Sequence, residues 1–131
     1  MKLLLDTHIW LWALLEPPRL SADVRAALQS PDAELWLSPV SVWEATLLAE
    51  RGRLEVMSDV GTWVREMIAA LPCRQAVLTH EIAIVSRALK LSHQDPADRF
   101  LAATAQVHDL TLVTADERLI GLAEFSVMGN Y

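Results

Sequence analysis

Short apolar runs alternate with longer segments of helical spacing along this chain, and this alternation limits the possible folds more than any other feature. The apolar runs, each bounded by polar residues, cover residues 2–5, 34–38, 76–78, 110–114 and 125–128. The segments whose apolar residues recur every three or four positions cover residues 20–29, 40–51, 60–71, 79–91 and 96–107. Strands that alternate with helices are joined by right-handed crossovers, which give a mostly parallel sheet with helices on both faces. The sequence therefore predicts an α/β fold with four or five strands.

The ends of the helical segments carry the residues that usually begin and end helices. Ser21 and Thr79 are predicted N-caps, and Asp95 precedes a proline at the start of the last segment. Gly52 follows the second segment and Pro72 follows the third. No linker rich in proline, glycine or serine divides the chain, so a single domain over residues 1–131 is expected.

Composition excludes several classes of protein. No apolar stretch reaches the roughly 18 residues that a membrane span requires, which predicts a cytoplasmic protein with no membrane association. The single cysteine, Cys73, excludes an internal disulfide framework and is expected to be a buried small residue. The net charge of −6 argues against broad binding to nucleic acid, unless the acids are concentrated at a metal site.

Four acidic residues stand at strand ends or near helix starts. Asp6 directly follows the first apolar run, and Asp116 follows the run at 110–114. Glu44 and Asp98 lie near the starts of two helical segments. Because ligand sites of parallel sheets form at the carboxyl ends of the strands, all four carboxylates can meet at one edge.

Each of these acids also has an ordinary structural role as an alternative. Asp6 and Asp116 can act as N-caps of the segments that follow them. Glu44 stands three residues after Ser41, which matches the Ser-x-x-Glu capping box. Asp98 would be the third residue of its helix, where a carboxylate interacts favourably with the helix dipole. These roles do not explain why all four acids would gather at one edge.

The residue types favour a hard divalent cation over other chemistries. Clustered carboxylates raise one another's pKa unless a cation neutralises them, and ligation by oxygen alone indicates Mg²⁺ or Mn²⁺. Dispersed histidines and one cysteine do not make a zinc site, and no glycine-rich phosphate loop or Gly-x-Ser-x-Gly elbow occurs. An aspartyl-phosphate enzyme would need a second Asp two residues after Asp6, where His8 stands. His93 is interpreted as a solvated loop residue.

Four motifs, in order and over nearly the whole chain, resemble those of VapC-type PIN-domain toxins. They are Leu4-Leu5-Asp6-Thr7-His8, Ser41-Val42-Trp43-Glu44, His93-x-Asp95-Pro96-x-Asp98-Arg99 and Val113-Thr114-x-Asp116. The resemblance implies a three-layer α/β/α fold in which Asp6, Glu44, Asp98 and Asp116 bind Mg²⁺ or Mn²⁺. It also implies a metal-dependent endoribonuclease that cleaves RNA with a metal-activated water. A toxin role in a type II toxin-antitoxin system, an antitoxin partner that blocks the site and a homodimer are implied as well.

Two further residues are predicted to support the site. Thr114 resembles the family's hydroxyl residue before the last acid and is expected to orient either a carboxylate or a metal-bound water, although a strand-end threonine is the plain alternative. Arg99, beside Asp98, is expected either to contact a phosphate or to form a surface ion pair. Ala97 departs from the family pattern, which commonly has an aromatic residue there.

A catalytically silent binding module that holds a basic protein partner is the alternative function. Such a module would be indicated by a missing acid, and all four acids are present. The acidic edge also suggests that a natural inhibitor inserts Arg or Lys among the carboxylates.

Overall fold

The computed structural model describes residues 1–92, 94–120 and 124–131, and the strands within them form one parallel sheet. The strands are β1 (Lys2–Leu5), β2 (Glu34–Leu37), β3 (Arg74–Gln75), β4 (Thr111–Thr114) and β5 (Ser126–Gly129). Their order across the sheet is β3-β2-β1-β4-β5, with every neighbouring pair parallel. The predicted parallel α/β sheet is confirmed, and β1 lies at its centre.

Helices cover both faces of the sheet. They are α1 (Thr7–Leu15), α2 (Ala22–Gln29), α3 (Pro39–Glu50), α4 (Val60–Ala70), α5 (His80–Ala88) and α6 (Pro96–Val107). Side chains of β1 alternate between two apolar clusters: Leu3 and Leu5 pack with α1 to α4, whereas Leu4 packs with α5 and α6. The molecule therefore has three layers, α/β/α.

Most predicted element ends agree with the structure. Side-chain oxygens of Ser21, Thr79 and Asp95 accept backbone N–H groups at the starts of their helices, as predicted. The helix predicted at 96–107 has those bounds, whereas the helix predicted at 79–91 ends at Ala88. A nine-residue helix, α1, follows Asp6 and ends at Leu15, which agrees with a helix that begins near Thr7 and stops before a turn at Glu16-Pro17-Pro18.

The strand predicted at 76–78 was wrong in position. The strand there is β3, which is only two residues long and pairs with β2 at the sheet edge. Val77 and Leu78, which suggested a buried strand, are exposed. An apolar run marks a strand only where the sheet buries it, and this run lies beyond the sheet.

Two other expectations concern membrane-spanning helices and the environment of Cys73. Among the described residues, no helix is both long enough and apolar enough to cross a bilayer. Cys73 is half-buried, and burial raises the pKa of its thiol to about 11, so it behaves as a packing residue.

Candidate active site

Asp6 leaves the carboxyl end of the central strand and is fixed through both carboxylate oxygens. Its Oδ1 accepts the Thr7 backbone N–H at 2.6 Å, and its Oδ2 accepts the Thr114 hydroxyl at 2.6 Å. Thr114 ends the adjacent strand β4 and is fully buried. Asp6 is therefore the N-cap of α1, as its structural alternative stated, and Thr114 orients the carboxylate as predicted.

Glu44 is tied to the start of α1 by a hydroxyl. The Thr7 hydroxyl donates to Glu44 Oε1 and also lies 3.0 Å from the Ser41 hydroxyl. The capping-box alternative for Glu44 was wrong, because α3 is capped by Ser38, whose Oγ accepts the Val40 N–H at 3.0 Å. Glu44 lies in the second turn of α3, so no cap accounts for its position.

Asp98 stands in the first turn of α6, and Asp95 rather than Asp98 caps that helix. The Asp95 Oδ1 accepts the N–H of Ala97 at 3.0 Å and that of Asp98 at 3.4 Å. The side chain of Asp98 is only 13% exposed and lines the pocket that Asp6 and Glu44 also line. The predicted division of roles between Asp95 and Asp98 is present.

Asp116 follows β4 and holds an arginine that the sequence did not single out. Its Oδ1 accepts the Arg118 backbone N–H at 2.9 Å, so Asp116 also caps the short turn at Glu117–Leu119. The Arg118 Nη2 lies 2.7 Å from Asp116 Oδ2 and 3.5 Å from Asp98 Oδ2. A guanidinium therefore lies between two of the four acids.

One pocket of about 340 Å³ at the carboxyl edge of the sheet brings together all four predicted acids. Its lining residues are Asp6, His8, Trp12, Glu44, Asp95, Asp98, Ala115, Asp116 and Arg118. The gathering at one edge that parallel strands predicted is thus observed. The sequence did not indicate a role at the site for Thr7 or for Arg118. Only Arg118 carried a signal, because it stands two residues after the last acid.

Burial and like charge raise the pKa of three acids in this pocket, Asp98, Asp6 and Glu44. The pKa of Asp98 rises from 3.8 to about 7, first because of burial and then because of Asp6, Asp95, Asp116 and Glu44. Burial also raises the pKa of Asp6 and of Glu44, although hydroxyl and N–H donors oppose the change. The pocket therefore holds an excess of negative charge.

The donor set of the pocket suits a hard divalent cation. Apart from His8, the side chains there that could ligate a metal are carboxylates, and a cation would offset the burial and the like charge that raise the pKa of Asp98. Within the described part of the chain, no three His, Cys, Asp or Glu side chains already form a ligand set. Arg118 instead supplies positive charge between Asp98 and Asp116.

Arg99 does not face the pocket, so its predicted contact with a phosphate or a surface partner was wrong. The residue is 4% exposed. Its guanidinium donates to the carbonyl oxygens of Ser86 at 2.8 Å, Leu89 at 2.7 Å and Leu91 at 3.2 Å. These bonds fix the end of α5 against α6, which is a structural role. His93 lies outside the described residues.

The sequence matches a known protein family and a curated protein over most of its length. The PIN domain profile matches residues 3–124 of the chain. Among curated proteins, Ribonuclease VapC22 of Mycobacterium tuberculosis is 38% identical over 117 residues, which are 88% of each chain.

Solved structures share the fold across the whole chain. VapBC2 from Rickettsia felis, bound to a promoter DNA fragment, superimposes with a TM-score of 0.71 at 14% identity, covering 98% of both chains. A toxin-antitoxin complex from Klebsiella pneumoniae gives a TM-score of 0.70 at 21% identity, covering 98% of this chain and 97% of the other. DNA-bound VapBC from Salmonella typhimurium gives 0.68 at 18% identity, covering 98% of both chains. At these identities the likeness shows the fold.

Proposed function

The chain belongs to the PIN-domain family, in its VapC branch, and on that basis we propose that it is a ribonuclease toxin that uses a divalent metal ion to cleave RNA. The observation that carries the proposal is the gathering of Asp6, Glu44, Asp98 and Asp116 in one pocket. Like charges that are buried together at the edge of a sheet destabilise the fold unless a cation neutralises them, and such clusters occur mainly at functional sites.

The metal is proposed to be Mg²⁺ or Mn²⁺, held by Asp6, Glu44, Asp98 and Asp116. When bound, such an ion lowers the pKa of water and stabilises the charge that develops on phosphodiester oxygens. The raised pKa of Asp98 supports this assignment, because a neighbouring cation stabilises the ionised form of that carboxyl.

The remaining residues of the pocket hold and orient the acids. Thr114 and the backbone N–H of Thr7 fix the two oxygens of Asp6, and the Thr7 hydroxyl fixes Glu44. Arg118 is exposed at the pocket, so its side chain can turn from the acids toward an entering phosphate once a cation neutralises them. Either Glu44 or Asp116 can serve as the base that accepts a proton from water.

We further propose a cognate antitoxin, an RNA substrate and a homodimeric assembly, in the cytoplasm where RNA is available. VapBC pairs among the solved structures of this fold support the antitoxin. The position of Arg118 between Asp98 and Asp116 illustrates how an arginine or lysine from an inhibitor would satisfy the carboxylates. The catalytically silent binding module is not favoured, because no acid is missing.

Cleavage of labelled single-stranded RNA by purified, partner-free protein tests the function. We expect cleavage in Mg²⁺ or Mn²⁺ that is abolished by EDTA and by Asp98→Asn, since both remove metal from the pocket. Asp23→Asn is the matched control, because it removes one carboxylate charge from an exposed position on α2.

Two results would count against the proposal in different ways. Equal cleavage by Asp98→Asn and the parent protein would disprove the site. A folded protein that binds Mn²⁺ yet cleaves none of a varied set of RNAs would favour the binding module.

A further inference from the structure

A second groove, of about 270 Å³, begins where the acid pocket ends. The two share His8 and Trp12 in their linings, so they are adjacent on the surface. The groove is lined by His8, Leu11, Trp12, Leu15, Glu16, Arg19, Leu48, Arg53 and Leu54. Two arginines thus adjoin an acidic pocket, in a chain whose net charge is −6.

We propose that this groove, here called the arginine groove, binds the RNA strand on one side of the phosphodiester to be cleaved. Arg19 and Arg53 contact backbone phosphates, and the apolar side chains that line the groove face the bases and sugars. The proposal rests on the proposed ribonuclease function and adds to it a path for the substrate outside the acid pocket.

Arg19 is held in an orientation that leaves its guanidinium available. Its Cζ lies 4.3 Å from the centroid of the Trp12 ring, which is a cation–π contact. Its Nη1 lies 3.7 Å from Glu16 Oε2, and 55% of the Arg19 side chain is exposed. An exposed ion pair of this length is weak, so a phosphate can replace the carboxylate as the partner of Arg19.

Arg53 is placed by the backbone at the end of α3. Gly52 has φ +71°, a left-handed conformation that turns the chain, and the Arg53 N–H donates to the Leu48 carbonyl at 3.0 Å. In residues 1–92, 94–120 and 124–131 the Arg53 side chain makes no ion pair, and the residue is exposed. A positive charge without a carboxylate partner beside an active site is suited to a phosphate.

The mixture of groups in the groove fits a single strand of nucleic acid. Single strands are bound where cationic side chains follow the backbone and aromatic or apolar surfaces meet the bases. Trp12 and Leu15 supply apolar surface in the groove that Arg19 and Arg53 also line, and Trp12 lines the acid pocket as well. An apolar segment of a protein partner would use the same apolar side chains but would not need the two arginines.

Charge reversal tests the proposal, and the chain offers a closely matched control. The variants are Arg19→Glu and Arg53→Glu, alone and together. Arg74→Glu is the control, because Arg74 also lies over a tryptophan, with its Cζ 5.9 Å from the ring of Trp36. Arg74 also pairs with a glutamate, at 3.5 Å from Glu34, and its side chain is 66% exposed, but it lies outside the arginine groove and the acid pocket.

Binding is measured by fluorescence anisotropy of a labelled single-stranded RNA in EDTA, over a range of salt concentrations. We expect each reversal in the groove to weaken binding several-fold, and Arg74→Glu to leave it near the parent value. Removing one arginine–phosphate interaction should make the dependence of log Kd on log salt shallower by about 0.7, and removing both should make it shallower by about 1.4. RNA cleavage by the same variants should show a raised KM.

Equal affinities and equal salt slopes for parent, groove variants and control would overturn the proposal, as would failure of all of them to bind RNA. Groove variants that lose only the binding of a partner protein would also overturn it. The proposed function is tested separately. Cleavage of RNA that the charge reversals do not change would support the ribonuclease function and disprove RNA binding in the groove. Binding of RNA through Arg19 and Arg53 without any cleavage would support the groove and count against the ribonuclease function.

Discussion

At the scale of single residues, Asp98 shows most clearly how the pocket differs from an ordinary surface. Its pKa of about 7 is far above the ordinary 3.8, because it is buried among four other carboxyl groups. Between these two pH values the folded chain binds a proton at Asp98 that the unfolded chain does not bind. In the absence of metal, stability from this group is therefore present below about pH 4 and is lost as the pH rises through about 7.

We predict that Asp98→Asn stabilises the metal-free protein at pH 8 and has little effect near pH 4. The Asp98 carboxyl repels the neighbouring carboxylates only when it is ionised, and the neutral asparagine removes that repulsion. A rise in Tm of a few degrees is expected, since about 1 kcal/mol corresponds to about 4 °C in a domain of this size. Thermal unfolding in EDTA at both pH values, with Asp23→Asn beside it, measures the effect. A Tm for Asp98→Asn below that of the parent protein at pH 8 would contradict the prediction.

We predict that Arg118→Gln increases the affinity for Mn²⁺ several-fold in the absence of RNA. The Arg118 guanidinium lies 2.7 Å from Asp116 and 3.5 Å from Asp98, so it competes with a cation for those carboxylates. Isothermal titration calorimetry with Mn²⁺ measures the change, and Arg74→Gln controls for the loss of one positive charge. Affinity that is unchanged or reduced would show that Arg118 does not oppose the metal. The same variant should cleave RNA less efficiently, because glutamine cannot bind a phosphate as the guanidinium does.

The positions of the acids could be predicted from the sequence, but their partners could not. Asp6 and Asp116 follow buried strands, and parallel strands send both to one edge. The contact between Thr7 and Glu44 depends on how α1 packs against α3, which no local pattern records. Ser41 fitted a capping motif, yet Ser38 is the cap, because the helix begins at Pro39, two residues before Ser41.

At the scale of the elements, one buried arginine determines how α5 ends. Arg99, from α6, donates to carbonyls of Ser86, Arg87, Leu89 and Leu91, at and beyond the last turn of α5. The last carbonyls of a helix have no partners within it, so the guanidinium satisfies several of them at once.

We predict that Arg99→Lys lowers the free energy of unfolding by about 2 kcal/mol, and that Arg99→Ala lowers it further. Lysine offers three donors at one point and cannot reach carbonyls that a planar guanidinium spans, which leaves buried acceptors unsatisfied. Urea unfolding followed by circular dichroism measures the loss, and Arg87→Lys, on the exposed side of α5, is the control. A cost for Arg99→Lys equal to that of the control would refute the capping role.

The same region explains why one helix was predicted to be too long. Leu89 and Leu91 continue the apolar spacing of α5, and both are buried, although the helix ends at Ala88. Their backbone carbonyls bind Arg99 instead of continuing the helix. The central strands β1 and β4, in which three of four residues are buried, were predicted closely, whereas the exposed edge strand β3 was not. The spacing of apolar residues predicts which residues are buried. It predicts a helix or a strand only where those buried residues belong to one.

At the scale of the whole molecule, the net charge of −6 conceals an uneven distribution. Five of the acidic side chains line one pocket, and the arginine groove adjoins that pocket. The objection that an acidic chain should not bind RNA applies to the average charge of the surface. The fold determines where the charged side chains lie, so composition alone could not predict a positively charged groove beside the acid pocket.

The central place of β1 in the sheet also affects when the molecule becomes active. This first strand pairs with β4, and the hydroxyl that holds Asp6 comes from Thr114, 108 positions later in the chain. During synthesis on the ribosome, the residues around β1 therefore cannot complete the sheet or the pocket until β4 has been made. A nascent or prematurely terminated chain carries Asp6 and Glu44 but no assembled pocket.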